Sequence, residues 1–320
     1  MVFAHIFKKA GAVAALTVLL FLSVSCSNPA DGSDATGGDI ISGEADVWCG
    51  DRQPFLISPD AGFLVFWPQA VSAPDSETMT QNRRSAQNAP QFLDLKTGEN
   101  LPVEFAPDVT QALEEGFQIG KGGICWEEDG SRAYFSAAMA HKSGQPPQRP
   151  QRRYFAADPV FSGDGTPKAF KLSITEDVPC RTGPPHLHEL PVPPVTVLRV
   201  SDKKSQIVYD GGILAEHRPR GRTSRGISIP DPESGRQNYA VSGDGHFLFY
   251  SVYERDVTGF SAPSHSYVLR LKEAAGTSPY FLGLSVYQAL WNPLQNTLYA
   301  CMKDPHGKHG KSVIAVWEFE

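Results

Sequence analysis

The chain has 320 residues, 41% hydrophobic and 20% charged, with 29 Gly and 26 Pro. That composition excludes a collagen, a coiled coil and a wholly disordered chain, and it allows one large domain or two ordinary ones. Beyond residue 25 the chain holds 27 basic and 35 acidic groups, a net charge of −8, which argues against a general nucleic-acid or anionic-membrane binder.

The first 25 residues carry Lys8, Lys9 and no acidic group, and an apolar run from Ala10 to Val24 ends at Ser25-Cys26. A basic start, a short apolar stretch and small residues at its end make a secretory signal. The run of 15 residues is short for a spanning helix. Leu22 to Cys26 resembles the bacterial lipoprotein signal, in which cleavage falls before a Cys whose thiol receives a diacylglycerol. The resemblance implies lipid attachment at Cys26 and a place in the bacterial cell envelope, on a periplasmic face or the cell surface. Ser23 and Ser25 also fit ordinary cleavage and secretion, and an uncleaved anchor is a third reading. Residues 26–45 are small, polar and acidic, and read as a flexible tether for a domain over 46–320.

Four cysteines follow Cys26: Cys49, Cys125, Cys180 and Cys301. An even number in an exported chain makes two disulfides available, and the sequence does not choose among the three pairings. Cys125, inside Gly122-Gly-Ile-Cys-Trp126, suits a buried free thiol instead.

From residue 46 onward the chain alternates short β-type runs with turn chemistry, and only Thr110–Glu115 suggests a helix. The runs begin at Phe63–Trp67, Gln91–Leu95 and Arg132–Phe135, continue through Val195–Val200, Gln206–Tyr209, His246–Tyr250 and Ser266–Leu271, and close with Thr297–Cys301 and Ser312–Trp317. Many short strands without intervening helices imply a sandwich, a barrel or a propeller.

A recurring unit separates these. Ser58-Pro-Asp-Ala-Gly-Phe-Leu-Val-Phe66, Glu127-Glu-Asp-Gly-Ser-Arg-Ala-Tyr-Phe135 and Ser242-Gly-Asp-Gly-His-Phe-Leu-Phe-Tyr250 each place an aromatic six residues after an Asp. A decayed copy is Asn292-Pro-Leu-Gln-Asn-Thr-Leu-Tyr-Ala300. The Asp-Gly pairs supply hairpin turns of positive φ, and the aromatics pack between sheets. The unit resembles the TolB-like β-propeller repeat, S-P-D-G-x-x-L-x-F, over roughly residues 50–320. Asp94-Leu-Lys-Thr-Gly-Glu99 resembles the turn between the two outer strands of such a blade. The resemblance implies an all-β propeller of four or five blades, with a β-sandwich as the alternative. The Asp-equivalent positions 60, 129, 244 and 294 are separated by 69, 115 and 50 residues, so the long gap should hide another blade. Phe161-Ser-Gly-Asp-Gly165 is either its turn or an outer hairpin of the second blade.

In a β-meander successive loops lie at alternate ends. If the Asp turns mark one end, the long polar segments near 72–90, 139–151, 178–194, 211–237, 254–265 and 303–311 fall at the other. Of 16 arginines, 12 lie in or beside these segments: Arg83, Arg84, Arg149, Arg152, Arg153, Arg181, Arg218, Arg220, Arg222, Arg225, Arg236 and Arg255. Guanidinium forks suit carboxylates and phosphates. The expected role is therefore a non-enzymatic binding or scaffold protein, with Arg152, Arg153, Arg218, Arg220, Arg222 and Arg225 as ligand-binding candidates for an acidic envelope protein or glycan.

The alternative is an exported metal-dependent lyase or hydrolase of acidic polysaccharide. It rests on Pro185-His-Leu-His-Glu-Leu190, where an extended chain would point His186 and His188 to one face as metal ligands. No catalytic motif accompanies them. Gly259-Phe-Ser-Ala-Pro263 is not a nucleophile elbow, and Gly120-Lys-Gly-Gly is not a phosphate loop. No catalytic residue and no cofactor is expected beyond that divalent metal.

Overall fold

The chain divides into two units, Met1–Ala35 and Thr36–Glu320. In the computed structural model the described residues all belong to the second unit: 39–41, 55–68, 89–139 (without the side chains of 121–123), 152–176, 195–220, 223–230, 239–255, 265–271, 278–283, 285–304 and 312–320.

They form five sheets that follow one another along the chain. The first sheet holds β2 (Leu56–Ile57), β3 (Phe63–Phe66), β4 (Gln91–Asp94) and β5 (Asn100–Leu101), in that order across the sheet. The second holds β6 (Val103–Phe105), β7 (Phe117–Trp126), β8 (Ala133–Met139), β9 (Arg152–Phe161) and β10 (Pro167–Thr175), ordered β6-β10-β9-β8-β7. Its β6 runs parallel to β10, and the other pairings of the sheet are antiparallel. The third is β11 (Val195–Ser201), β12 (Lys204–Tyr209) and β13 (Gly212–His217). The fourth holds β14 (Gly226–Ser228), β15 (Tyr239–Val241), β16 (Phe247–Arg255), β17 (His265–Arg270) and β18 (Tyr280–Gly283). Both β14 and β15 pair with β16, at opposite ends of it. The fifth is β19 (Val286–Trp291), β20 (Thr297–Lys303) and β21 (Ser312–Glu318), extended by β1 (Asp39–Ile40), which lies antiparallel to β21.

Alternate residues of single strands feed different cores, as a pleat requires. In β3 and the residue after it, Phe63, Val65 and Trp67 pack with second-sheet residues such as Phe135 and Phe170. Leu64 and Phe66 pack with Tyr299, Cys301 and Ile314 of the fifth sheet. In β20, Leu298, Ala300 and Met302 pack with Phe247 and Phe249 of the fourth sheet. In β16, Leu248, Tyr250 and Val252 turn the other way, onto Val195, Ile207 and Ala215 of the third. Each sheet therefore packs on a sequence neighbour, and the last packs on the first. Strands buried on both faces read as continuous apolar runs, such as Phe247–Tyr253. Phe92 stacks on Phe170 at 3.7 Å between the first and second sheets, while Phe63 meets Phe170 edge-on. Each ring buried this way stabilises the fold by about 1.5–3 kcal/mol.

The repeated turns join consecutive antiparallel strands: β2 to β3, β7 to β8, β15 to β16 and β19 to β20. Ser58 Oγ donates to Asp60 Oδ1 at 2.5 Å and Ser242 Oγ to Asp244 Oδ1 at 2.6 Å, and each hydroxyl also accepts the N–H five residues on. The position six residues beyond the Asp is buried in all four copies, as Phe66, Phe135, Tyr250 and Ala300. Ser162–Thr166 folds the same way but joins β9 to β10, so it is an outer hairpin of the second sheet. Asp94–Glu99 joins β4 to β5, the two outer strands of the first sheet. The hidden unit in the long gap is the third sheet, and it carries no such turn. Its β11–β12 hairpin lies where the Asp202 carbonyl accepts the Ile227 N–H at 2.9 Å. Ile227 pairs with Glu254, at the end of β16 remote from the Asp244 turn. β14 is thus bonded to both β16 and the hairpin, which lies at the end opposite the Asp244 turn.

The one helix among the described residues is α1 (Pro107–Glu114). Pro107 at its first turn presets φ, and Val109 and Ala112 are buried against the first and second sheets. The Asp108 carboxylate accepts the Val109 and Ile174 N–H groups at 2.9 and 3.3 Å, tying the helix to β10. Cys125 and Cys301 are both disulfide-bonded. The free-thiol reading of Cys125 is thereby corrected: it is both buried and cross-linked.

Candidate functional site

The most charged described region begins where β13 ends. Register with β12 sets Ala215 and His217 toward the fourth sheet and Glu216 away from it. Glu216 pairs with Lys204 at 2.6 Å and Arg218 at 3.1 Å, and accepts from Gln206 at 3.0 Å. These contacts hold its carboxyl down at about 2, with Lys204 the main cause. Pro219 then prevents β13 from continuing as a regular ladder strand. The Arg220 N–H donates to Glu254 Oε1 at 2.8 Å, and the Arg225 N–H donates to the Arg255 carbonyl at 2.7 Å. Arg220, Arg225 and Arg255 thus gather at the end of the fourth sheet opposite its Asp244 turn. Arg218, Arg220 and Arg225 are exposed.

Beneath them is a row of rings, with Tyr250 and Tyr267 buried and His217, His265 and Phe281 half-buried. Tyr250 of β16 and Tyr267 of β17 are register partners and stack at 5.5 Å. His217 Nε2 and the Tyr250 hydroxyl share a 2.7 Å hydrogen bond, and the His217 ring lies 4.8 Å from that of Tyr267. His265, two residues before Tyr267, lies along the same face, with Nδ1 3.8 Å from Glu254 Oε1. Phe281 of β18 pairs with Tyr267 and lies under the Arg220 guanidinium at 5.9 Å. Burial pushes His217 down to about 4, with Arg220 and His265 adding repulsion. Burial and Arg220 also lower His265, against the pull of Glu254. Tyr250 is pushed well up by burial, and Tyr267 is raised chiefly for the same reason. At neutral pH both imidazoles are therefore uncharged beneath the exposed guanidiniums.

The other described arginine candidates stand at the start of β9, at the end of the second sheet remote from the Ser162–Thr166 turn. Arg153 bonds Glu115 at 3.1 Å, beyond the C-terminus of α1, and lies 4.5 Å over the Phe117 ring. Arg152 is exposed. Cys26, Cys49, Arg83, Arg84, Arg149, Cys180, Arg181, His186, His188, Arg222 and Arg236 lie outside the described residues. Among the described residues no group of three His, Cys, Asp or Glu side chains could hold a metal ion, and no helix is long and apolar enough to cross a membrane.

Sequence reasoning found the arginines through their density. It missed His217, Tyr250, Glu254, His265, Tyr267 and Phe281 as a group. The only local signal was a His directly ahead of the arginine run.

No family model matches the chain. No curated protein matches it either. Among solved structures it is similar to prolyl oligopeptidase B from Galerina marginata bound to a 35mer hydrolysis and macrocyclization substrate, at 9% identity and a TM-score of 0.21, covering 83% of this chain and 32% of that one. A second structure of that enzyme, bound to a 25mer macrocyclization substrate, gives 10% identity and the same TM-score of 0.21, covering 89% of this chain and 44% of that one. The chain thus spans less than half the length of either. A likeness of this degree carries neither fold nor activity across. The class of the protein rests on its own geometry: an all-β chain of consecutive sheets, almost wholly antiparallel, with an arginine-bearing end.

Proposed function

We propose that the chain is an exported, lipid-anchored β-propeller of five blades that binds an acidic protein or glycan without catalysing a reaction. The propeller reading is supported by the packing order, in which each sheet meets a sequence neighbour and the fifth meets the first. It is supported also by β1, a strand from the start of the domain that completes the last sheet. Envelope location follows from the N-terminal signal and the tether.

The observation that carries the binding reading is the gathering of Arg220, Arg225 and Arg255 at one sheet end by two backbone N–H donors, that of Arg220 to the Glu254 carboxylate and that of Arg225 to the Arg255 carbonyl. Loops on a rigid scaffold are the usual seat of recognition, and guanidinium forks recognise carboxylates, sulfates and phosphates. Because the pins are backbone groups, the side chains can be exchanged without removing them. A triple variant Arg218→Glu, Arg220→Glu, Arg225→Glu that folds normally should bind an acidic partner at least about tenfold more weakly, since each lost charged contact is worth roughly 1.5–3 kcal/mol. Capture of partner at undiminished affinity by that variant would remove this sheet end from the account.

A further inference from the structure

The ring cluster beneath the arginines is too well built to be ignored as filling. His217 is the residue immediately before Arg218, and among the described residues its hydrogen-bond partner is the Tyr250 hydroxyl. The titratable and charged groups around it are Tyr250 and Glu254 from β16, Tyr267 and His265 from β17, and Arg220 from the chain that follows, with Lys204, Glu216 and Arg218 paired together on the opposite face of β13. Glu254 is engaged by the Arg220 N–H and lies 3.8 Å from His265, and Glu216, next to His217 in the chain, is taken up by Lys204 and Arg218. A proton on His217 would thus add a cation to a half-buried site beneath Arg220 and beside His265. Among the described residues the group bonded to His217 is the neutral Tyr250 hydroxyl and not a carboxylate.

We infer that protonation of His217 unpins Arg220 from the end of the fourth sheet, so that anion binding there is proton-linked, held at neutral pH and released in acid. The inference rests on the anion-binding reading for its consequence, but not for the structural event. His217 leaves the rings when charged. The Arg220 N–H then loses Glu254, and the guanidiniums lose their fixed spacing. With a released-state value of 6.5 and a pinned value of about 4, the equilibrium for opening rises about 20-fold between pH 7 and pH 5.

Hydrogen–deuterium exchange of the full chain at pH 7 and pH 5, corrected for intrinsic exchange, reads the event without any ligand. Peptides spanning 213–220 should lose protection by up to about 20-fold in acid. His217→Gln, which can still bond Tyr250 but cannot titrate, should keep equal protection at both pH values. Unchanged wild-type protection overturns the inference, and this arm holds even where the variant fails to fold. Loss of protection in His217→Gln equal to that of the wild type overturns it as well, since the proton would then act elsewhere. Dextran sulfate, ionised at both pH values, is the binding probe. Capture at pH 7 with no acid-induced opening defeats the switch and leaves the anion site. Opening without capture at either pH supports the structural event and defeats the anion site.

Discussion

Gly130 of the second sheet's turn stands against Asp60 of the first, so closely that a Cβ on Gly130 would fall 2.4 Å from Asp60 Oδ1. The fourth and fifth sheets repeat the relationship, since a Cβ on Gly243 would fall 2.9 Å from the Pro293 carbonyl oxygen. The turns that recur in sequence therefore touch in space, one sheet's hairpin against the next.

Gly130→Ala should be costly on two counts. Its φ of +74° is unfavourable for any residue with a Cβ, by about 1–2 kcal/mol. Asp60 cannot simply step aside, because Oδ1 also accepts from Ser58 Oγ and the Gly62 N–H. Gly165→Ala supplies the comparison: its φ is +83°, and nothing lies within 4 Å of the added Cβ. Urea unfolding should show Gly130→Ala losing about 1–2 kcal/mol more than Gly165→Ala. Equal losses would mean that the two turns do not brace one another.

The legible part of this fold was the part with a local cause. Gly130, Gly165 and Gly245 take positive φ within Asp turns, and the strands after 60, 129 and 244 show their apolar runs because both faces are buried. Ala61 at φ +56° shows that the turn survives without the glycine that advertises it. The third sheet was hidden because it lacks that turn and leaves one face open, where Leu198, Val200 and Ile213 are 46–54% exposed. Arg218 to Arg225 was visible as charge density. The rings below were not, because His217, Tyr250 and Tyr267 meet only through the register of β16 on β17 and the packing of the third sheet on the fourth. A tyrosine within Phe247–Tyr253 reads as core, and no spacing shows that its hydroxyl will find a histidine.

The cross-links give a chemical prediction. Cys125 sits with Tyr134 and Ala156 on one face of the second sheet, and Cys301 with Tyr299 and Ile314 in the fifth. Both are disulfide-bonded, so iodoacetamide should label neither in denaturant until a reductant is added. Reduction should lower stability by about 2–4 kcal/mol per bond. Labelling of Cys125 in the unreduced, denatured chain would restore the free-thiol reading.

The proposed anchor predicts a mass. Expressed in a bacterial host, the chain should begin at Cys26 and carry a diacylglyceryl group, and should incorporate radiolabelled palmitate. Cys26→Ser should abolish the label and free the protein from the membrane fraction, because acyl chains contribute about 0.8 kcal/mol per buried methylene and are the proposed hold. A Cys26→Ser protein that stays in the membrane fraction would favour an uncleaved apolar segment over a lipid.

The pH dependence of global stability isolates the histidines. Asp164 and Glu216 are each held at about 2, by Ser162 and Lys204 first of all. A carboxylate lowered on folding contributes stability that is lost only as pH falls below its ordinary range. Those losses lie below about pH 4.5. His217 is the opposite case, a base whose pKa folding lowers, by burial first, from 6.5 to about 4. The unfolded chain binds its proton first as pH falls, so the native state loses ground from about pH 6.5 down to about 4. His265 is lowered in the same sense, again chiefly by burial. Between pH 7 and pH 5 His217 alone should remove about 2 kcal/mol from the unfolding free energy. Denaturant titrations at the two pH values should therefore differ by at least that amount in the wild type. The difference should shrink by about 2 kcal/mol in His217→Gln, whereas Glu216→Gln should leave the slope in this window unaltered. A wild-type stability that is flat from pH 7 to pH 5 would mean that His217 is not held neutral against Tyr250 and Tyr267, and the ring cluster would then be an exposed surface rather than a buried one.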